Sequence, residues 1–236
     1  MNVSFYSQID ILLPVQISIL IFDKKRLMKY LLIFSLLICN FNLKSQIVID
    51  SITLINPSFE DLPNPSNTPF GWLDCSGSED SPADTQPGSW QVDLPAIEGD
   101  TYLGMVTRDV GTWEAVSQKL EKQFRKDSCY IFSIQLYSSK KYVSPSRKTG
   151  RIANFTNPVI FQMWGGNSKC DRKELLIKSK AVLNWEWKDY TFYFKPHSNY
   201  TYISLEAYYP DEFDKNTNGN LLLDDASKIL LIPCGN

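Results

Sequence analysis

From residue 47 to the C-terminal end, apolar and polar side chains repeatedly alternate with the period of a half-buried β-strand. Residues 200–209 show it best: Thr201, Ile203, Leu205 and Ala207 form an apolar set, and Tyr202, Ser204, Glu206 and Tyr208 a polar-aromatic one. In 159–164 the split is Val159, Phe161 and Met163 against Ile160, Gln162 and Trp164. Runs rich in Ile, Val, Tyr, Phe and Thr predict further strands at 47–54, 101–107, 113–119, 129–137, 187–194 and 221–232, with 174–180 as another. Only 114–126 carries any helical pattern, and it is not sustained.

Residues 57–95 break this rhythm with seven prolines together with Gly71, Gly77 and Gly88, which predicts ordered loop with short extended pieces. Phe70, Trp72 and Trp90 within it argue against disorder, which normally lacks aromatic residues. Eight or more strands without helices, joined by long loops, predict an all-β, two-sheet β-sandwich of the jelly-roll kind. Neither an internal repeat nor a second domain is evident.

The N-terminal residues follow another pattern. Met28-Lys29 opens a positive start, 30–39 an apolar run, and polar residues 40–44 lead to small Ser45. This is the order of a secretory signal peptide spanning 28–45, cleaved between Ser45 and Gln46, which leaves 46–236 as one β-sandwich domain. The upstream run 11–22, broken by Pro14 and Gln16, is too short to span a bilayer comfortably. Residues 1–27 are therefore read as an upstream extension, with Met28 the native start and a membrane anchor formed by both runs the rival reading. Lipidation at Cys39 is disfavoured because Ile38 stands where a small residue is needed.

Export changes how the cysteines are read. Cys75, Cys129, Cys170 and Cys234 predict up to two disulfides with three possible pairings, since none stands in a C-x-x-C spacing that would favour zinc. A net charge of −2 argues against nucleic acid as a partner.

Chemistry is suggested by the polar-aromatic faces. If strands 129–137, 159–164 and 200–209 share one sheet, Gln135, Gln162, Trp164, Glu206 and Tyr208 are presented together. Flat rings beside amide and carboxylate groups suit a sugar, whose C–H face stacks while its hydroxyls take directional hydrogen bonds. Trp90, Arg108, Asp109 and Trp113 are the expected loop-rim contacts. The plainer reading is that the 57–95 loop covers these aromatics as a second small core. Asp214, Asn216, Asn218 and Asp225, with Gly219, match the spacing of an EF-hand loop, although an Asn-Gly hairpin turn suits the following strand better. No G-x-S-x-G, H-E-x-x-H or phosphate-binding glycine loop is present, and His197 is the only histidine. Asp109, Glu114 and Glu206 are the candidates for a glycosidase carboxylate pair.

Two end segments add a family likeness. Asn56-Pro57-Ser58-Phe59-Glu60-Asp61, followed by Gly71-Trp72, and Leu223-Asp224-Asp225-Ala226-Ser227 resemble the opening and closing strands of carbohydrate-binding jelly rolls of the xylan-, glucan- and galactose-binding-like type. Gly99 to Gly104 and Val116 to Leu120 look like the same modules' second and third core strands. The chain is also similar to modules of envelope proteins in gliding-type Gram-negative bacteria. The resemblance implies a structural calcium held by Glu60 and Asp225 with backbone carbonyls. The leading expectation is a secreted, non-catalytic carbohydrate-binding module, located in the periplasm, at the cell surface or outside the cell, with no stable membrane span in the mature chain. A structural or adhesion module contacting an envelope protein is the alternative, and a glycoside-active enzyme the third reading.

Overall fold

A computed structural model describes residues 47–212 and 214–235. The upstream extension, the signal peptide and its cleavage site lie outside the described residues. So does Cys39. Fourteen strands and no helix are found among the described residues: β1 Asp50–Ile52, β2 Leu73–Asp74, β3 Asp84–Gln86, β4 Tyr102–Thr107, β5 Ala115–Phe124, β6 Cys129–Tyr137, β7 Val143–Pro145, β8 Ile152–Asn154, β9 Ile160–Gly166, β10 Glu174–Lys178, β11 Lys188–Phe194, β12 Tyr200–Tyr208, β13 Gly219–Asp224 and β14 Ile229–Ile232. Consequently no helix there is long and apolar enough to cross a membrane.

Two sheets form a sandwich in which every named strand pairing is antiparallel. The five-stranded sheet runs β10-β9-β12-β5-β2; the seven-stranded one runs β1-β14-β6-β13-β4-β3, with β11 on the other edge of β6. The longer strands β4, β5, β6, β9, β11, β12 and β13 alternate between the sheets, so each connection crosses the sandwich, as in a jelly roll. Between the sheets Phe132, Ile134, Phe161, Met163, Ile203 and Leu205 are buried. Phe161, Met163, Ile203 and Leu205 belong to the apolar sets that the alternation assigns to the core.

The seven-stranded sheet is covered on its outer face as well. Tyr102, Val106 and Leu222 pack there against Val92, Tyr142 and Phe155, forming a second core. The cover is the 86–101 loop together with the β7–β8 hairpin, which the sequence pattern did not predict. Every residue of β4 and β13 is buried as a result.

One expectation is corrected: the run 221–232 is two strands, because Asp225 takes a left-handed backbone (φ 44°) and Ser227 bonds to Ser133 of β6. The strand expected at 113–119 extends as β5, Ala115–Phe124, over the span whose helical pattern is not sustained. The 57–95 segment is loop with two short strands, as expected, and gives β2 to one sheet and β3 to the other.

Cys75 is bonded to Cys170 and Cys129 to Cys234. Two disulfides belong to an oxidising compartment, so the chain is an exported protein.

The opening motif works as a clasp. Asn56 donates to the carbonyls of Glu60 and Phe70, while its amide oxygen accepts the Glu60 N–H at 2.8 Å. Phe59 is fully buried 5.2 Å from the Trp72 ring, and Trp72 donates to the Asn56 carbonyl. Ala226 N–H donates to Pro57 at 3.0 Å, and β1 pairs with β14, so the two ends are fastened together.

Candidate functional site

Two surfaces gather the chemistry. The first is the outer face of the five-stranded sheet. Its register sets Tyr208 opposite Ile160, Glu206 opposite Gln162 and Ser204 opposite Trp164, so these side chains share one face, as the alternation predicts. Gln135 does not join them, because β6 belongs to the other sheet. Alternation fixes which side of a strand a residue occupies, not which sheet the strand enters.

Glu206 is only 1% exposed. It accepts the indole N–H of Trp164 at 2.6 Å and of Trp113 at 3.0 Å, and pairs with Arg172 Nε at 2.8 Å. Gln162 is buried too. Neither is a free contact for a sugar; Glu206 instead holds two tryptophans upright. The segment carrying Cys170 covers part of this face, with Cys170 N–H donating to Ser117 Oγ at 3.3 Å. The cover thus includes 167–173, tied by the disulfide to Cys75 of the 57–95 segment, which itself pairs with β5 at the edge of this sheet. Half-buried Trp113, Trp164 and Tyr208 remain at the surface, Trp113 edge-on to Tyr208 at 4.7 Å.

The second surface is a pocket of about 420 Å³ on the outer side of the seven-stranded sheet. Asp84 of β3, Val106 at the end of β4, Arg108 and Glu114 of the β4–β5 connection, Trp90, and the β7–β8 hairpin line it. Arg108, 3% exposed, bonds Glu114 and Ser81 Oγ and lies 3.6 Å from Asp80, while its Nη1 has no hydrogen-bond partner. Glu114 also accepts the Val106 N–H at 3.0 Å. Asp84 bonds the Tyr142 hydroxyl and accepts the Ser66 N–H at 2.6 Å.

Burial pushes the Glu114 carboxyl well above the usual carboxylate range, with Arg108 opposing the rise and Asp84 adding to it. Burial also raises Asp84, against hydrogen bonds from Tyr142 and Ser66, and it raises the Tyr142 hydroxyl strongly, reinforced by Asp84 and Glu114. The floor is a coupled network of fixed donors and acceptors. Trp90 supplies the ring beside it. Trp90 and Gln91 both have left-handed backbones (φ 55° and 63°), an unfavourable conformation for side chains of their size, and the Trp90 carbonyl accepts Val143 N–H at 2.7 Å.

Of the rim residues, Trp90 and Arg108 therefore lie in this pocket and Trp113 on the other surface. Asp109 is structural: it accepts Ser146 Oγ at 2.5 Å, Lys148 N–H at 3.2 Å and the Asn218 amide at 3.0 Å. Asp84 and Tyr142 were missed, since they come from a proline-rich loop and from a hairpin with no strand signal. Asp109, Glu114 and Glu206, the carboxylates considered for glycoside chemistry, are each already engaged by donors.

The calcium residues fall differently from expectation. Glu60 accepts the N–H groups of Asp100 at 3.0 Å and Thr101 at 3.3 Å. Its neighbour in charge is Asp224, which is fully buried and accepts Ile97, Glu98 and Asp225 N–H groups. Burial pushes Asp224 up to about 6 against these bonds, and Glu60 adds to the rise. Asp225 is exposed. Among the described residues no group of three or more His, Cys, Asp or Glu is arranged for a metal, so calcium's six to eight oxygens would have to come largely from carbonyls and water. Nor does an EF-hand loop form: Gly219 to Asp224 is strand, and Asn218 bonds Asp109 and Asn157. The turn before it is not a hairpin either, because β12 and β13 lie in different sheets.

No protein-family model matches the chain, and no curated protein does. Among solved structures it is similar to the xylan-binding domain CBM22-1 of Xyn10C from Paenibacillus barcinonensis, with 15% identity over 81% of this chain and 99% of that one and a TM-score of 0.44. A family 16 carbohydrate-binding module matches at 13% identity over 74% and 97%, TM-score 0.41. The K3 adhesin domain of Lys-gingipain from Porphyromonas gingivalis matches at 10% over 77% and 99%, TM-score 0.46. Carbohydrate-binding modules thus stand among the structural neighbours of this sandwich. Likeness at this level does not assign a ligand, which has to be argued from the side chains.

Proposed function

We propose that this protein is a secreted, non-catalytic carbohydrate-binding module whose principal site is the Trp90 pocket. The observation that carries the reading is the pocket's composition. One ring held in an unfavourable backbone conformation stands beside a buried network of donors and acceptors. A sugar needs an apolar face and several directional hydrogen bonds at once. The engagement of Asp109, Glu114 and Glu206 supports binding without catalysis. Trp164, Tyr208 and Trp113 form the second surface in this proposal, supported by Glu206 and Gln162 beneath them.

A glycan array with the purified protein tests it, alongside Trp90→Ala and Tyr208→Ala, each also measured for thermal stability. Loss of binding by a folded Trp90→Ala variant is the expected result. Loss in Tyr208→Ala alone would move the site to the five-stranded sheet. Absence of binding to every glycan would favour the adhesion module, which engages an envelope protein through these same surfaces.

A structural calcium belongs to the same proposal, with Glu60 and Asp224 as its carboxylates. Neither enters an ion pair among the described residues, and their mutual repulsion is what a hard cation relieves.

A further inference from the structure

The charge of the chain is unevenly placed. Although the whole carries −2, residues 138–157 contain Lys140, Lys141, Arg147, Lys148 and Arg151 and no acidic residue. All five are exposed, and none enters an ion pair among the described residues. This segment is the β7–β8 hairpin, whose turn carries Arg147 at the wall of the Trp90 pocket.

The turn is held by a dense set of bonds that leaves its cations unused. Ser146 N–H donates to Arg151 at 2.8 Å and Gly150 N–H to Ser146 at 2.9 Å. Thr149 N–H donates to Ser146 Oγ at 3.0 Å, and Asp109 accepts Ser146 Oγ and the Lys148 backbone N–H. Asp109 therefore fixes the loop through its backbone and a hydroxyl, and the basic heads project from a preset frame. A merely solvated basic face needs no such frame. Inside the pocket, Arg108 is bonded to Glu114 through Nη2, and its buried Nη1 has no hydrogen-bond partner, with Asp80 3.6 Å away.

Resting on the glycan-binding reading above, we infer that the ligand is an anionic glycan, one bearing carboxylate or sulfate groups. A sugar ring enters the Trp90 pocket, and the acidic groups are read by Arg147, Lys148 and Arg151 at its mouth. The backbone that carries these cations is already ordered, so binding has only their side chains left to fix, and arginine's planar fork suits both carboxylate and sulfate.

Binding of the purified protein to polygalacturonate, dextran sulfate, neutral dextran and duplex DNA tests this, at low and high salt. The expected result is binding to one or both acidic glycans that weakens with salt, with little binding to dextran or DNA. Arg147→Ser, Lys148→Ser and Arg151→Ser combined should weaken it by about tenfold or more, given what exposed charge pairs contribute. A control removing Lys119, Arg125 and Lys126, exposed cations elsewhere, should leave it unchanged. Polygalacturonate against dextran sulfate separates the carboxylate from the sulfate source. Equal loss in the control, or equal binding to DNA, would overturn the inference as unspecific charge attraction. Selective binding of neutral glycans that depends on Trp90 would overturn it while leaving the carbohydrate reading standing, whereas no glycan binding at all would remove both.

Discussion

Trp164 donates its indole N–H to Glu206 Oε1 at 2.6 Å, inside a cluster where the carboxylate is almost wholly removed from solvent. Trp113 and Arg172 donate to the other oxygen. Replacing Glu206 by Ala strands three donors at once, two of them indoles with no other hydrogen bond among the described residues. The expected cost is about 3 kcal/mol, the range for a broken buried pair and unsatisfied donors. Glu206→Gln, which keeps an acceptor, should lose less. Urea unfolding followed by tryptophan fluorescence checks both, and an Ala variant as stable as wild type would show the cluster to be energetically idle.

The Cys75–Cys170 bond lies over the same face. It closes a separation of 95 residues and holds the segment from which Arg172 reaches Glu206. Cys75→Ser with Cys170→Ser should therefore destabilise the fold by about 3 kcal/mol through the enlarged unfolded ensemble. It should also free the 167–173 segment. The second effect is read separately, as faster hydrogen exchange at 167–173 under native conditions. Unchanged exchange there would mean that the Arg172 contact holds the segment without the disulfide.

The strands that alternate in sequence are those that bury one face. In β6, Tyr130, Phe132, Ile134 and Leu136 point inward while Ile131, Ser133, Gln135 and Tyr137 are half-buried, so both its limits and its parity could be read. Leu221, Leu222 and Leu223 of β13 are all buried, and a continuous run conceals which residue faces which layer. The hairpin that creates the second layer is short and rich in Ser, Lys and Arg, a composition that reads as loop. The pocket was the least accessible feature. Asp84 and Tyr142 meet across 58 positions, and no local spacing connects them to Arg108 or Trp90. The motif at Asn56 to Asp61 stands out in the sequence for its family likeness alone; the bonds of Asn56 to Glu60, Phe70 and Trp72 emerge only in the structure.

Calcium should stabilise the protein through the junction of Glu60 and Asp224. A ligand at about a hundredfold excess over its Kd adds about 2.7 kcal/mol, which corresponds to a rise of several degrees in Tm for a domain of this size. Melting in calcium chloride against EDTA should show that rise in wild type and in Asp225→Asn, and not in Asp224→Asn. The same shift in Asp224→Asn as in wild type would place any bound ion elsewhere. No shift in wild type would remove the structural calcium.

Asp109 gives the hairpin frame a definite pH dependence. Burial works against its charge, but hydrogen bonds from Ser146, Asn218, Lys148 and its own backbone N–H outweigh it and hold the carboxyl below its ordinary value of 3.8. A carboxylate whose folded value is depressed contributes stability that is present above the unfolded value and is lost as pH falls through the folded one. Wild type should accordingly be more stable than Asp109→Asn at pH 6, with the difference shrinking steadily below 3.8. Asp109 is only partly buried, so the full difference should be modest, about 1 kcal/mol. Chemical denaturation of both proteins across this range reads the difference directly. A gap that stays constant into strong acid would assign the effect of the substitution to geometry, with no contribution from the charge of Asp109.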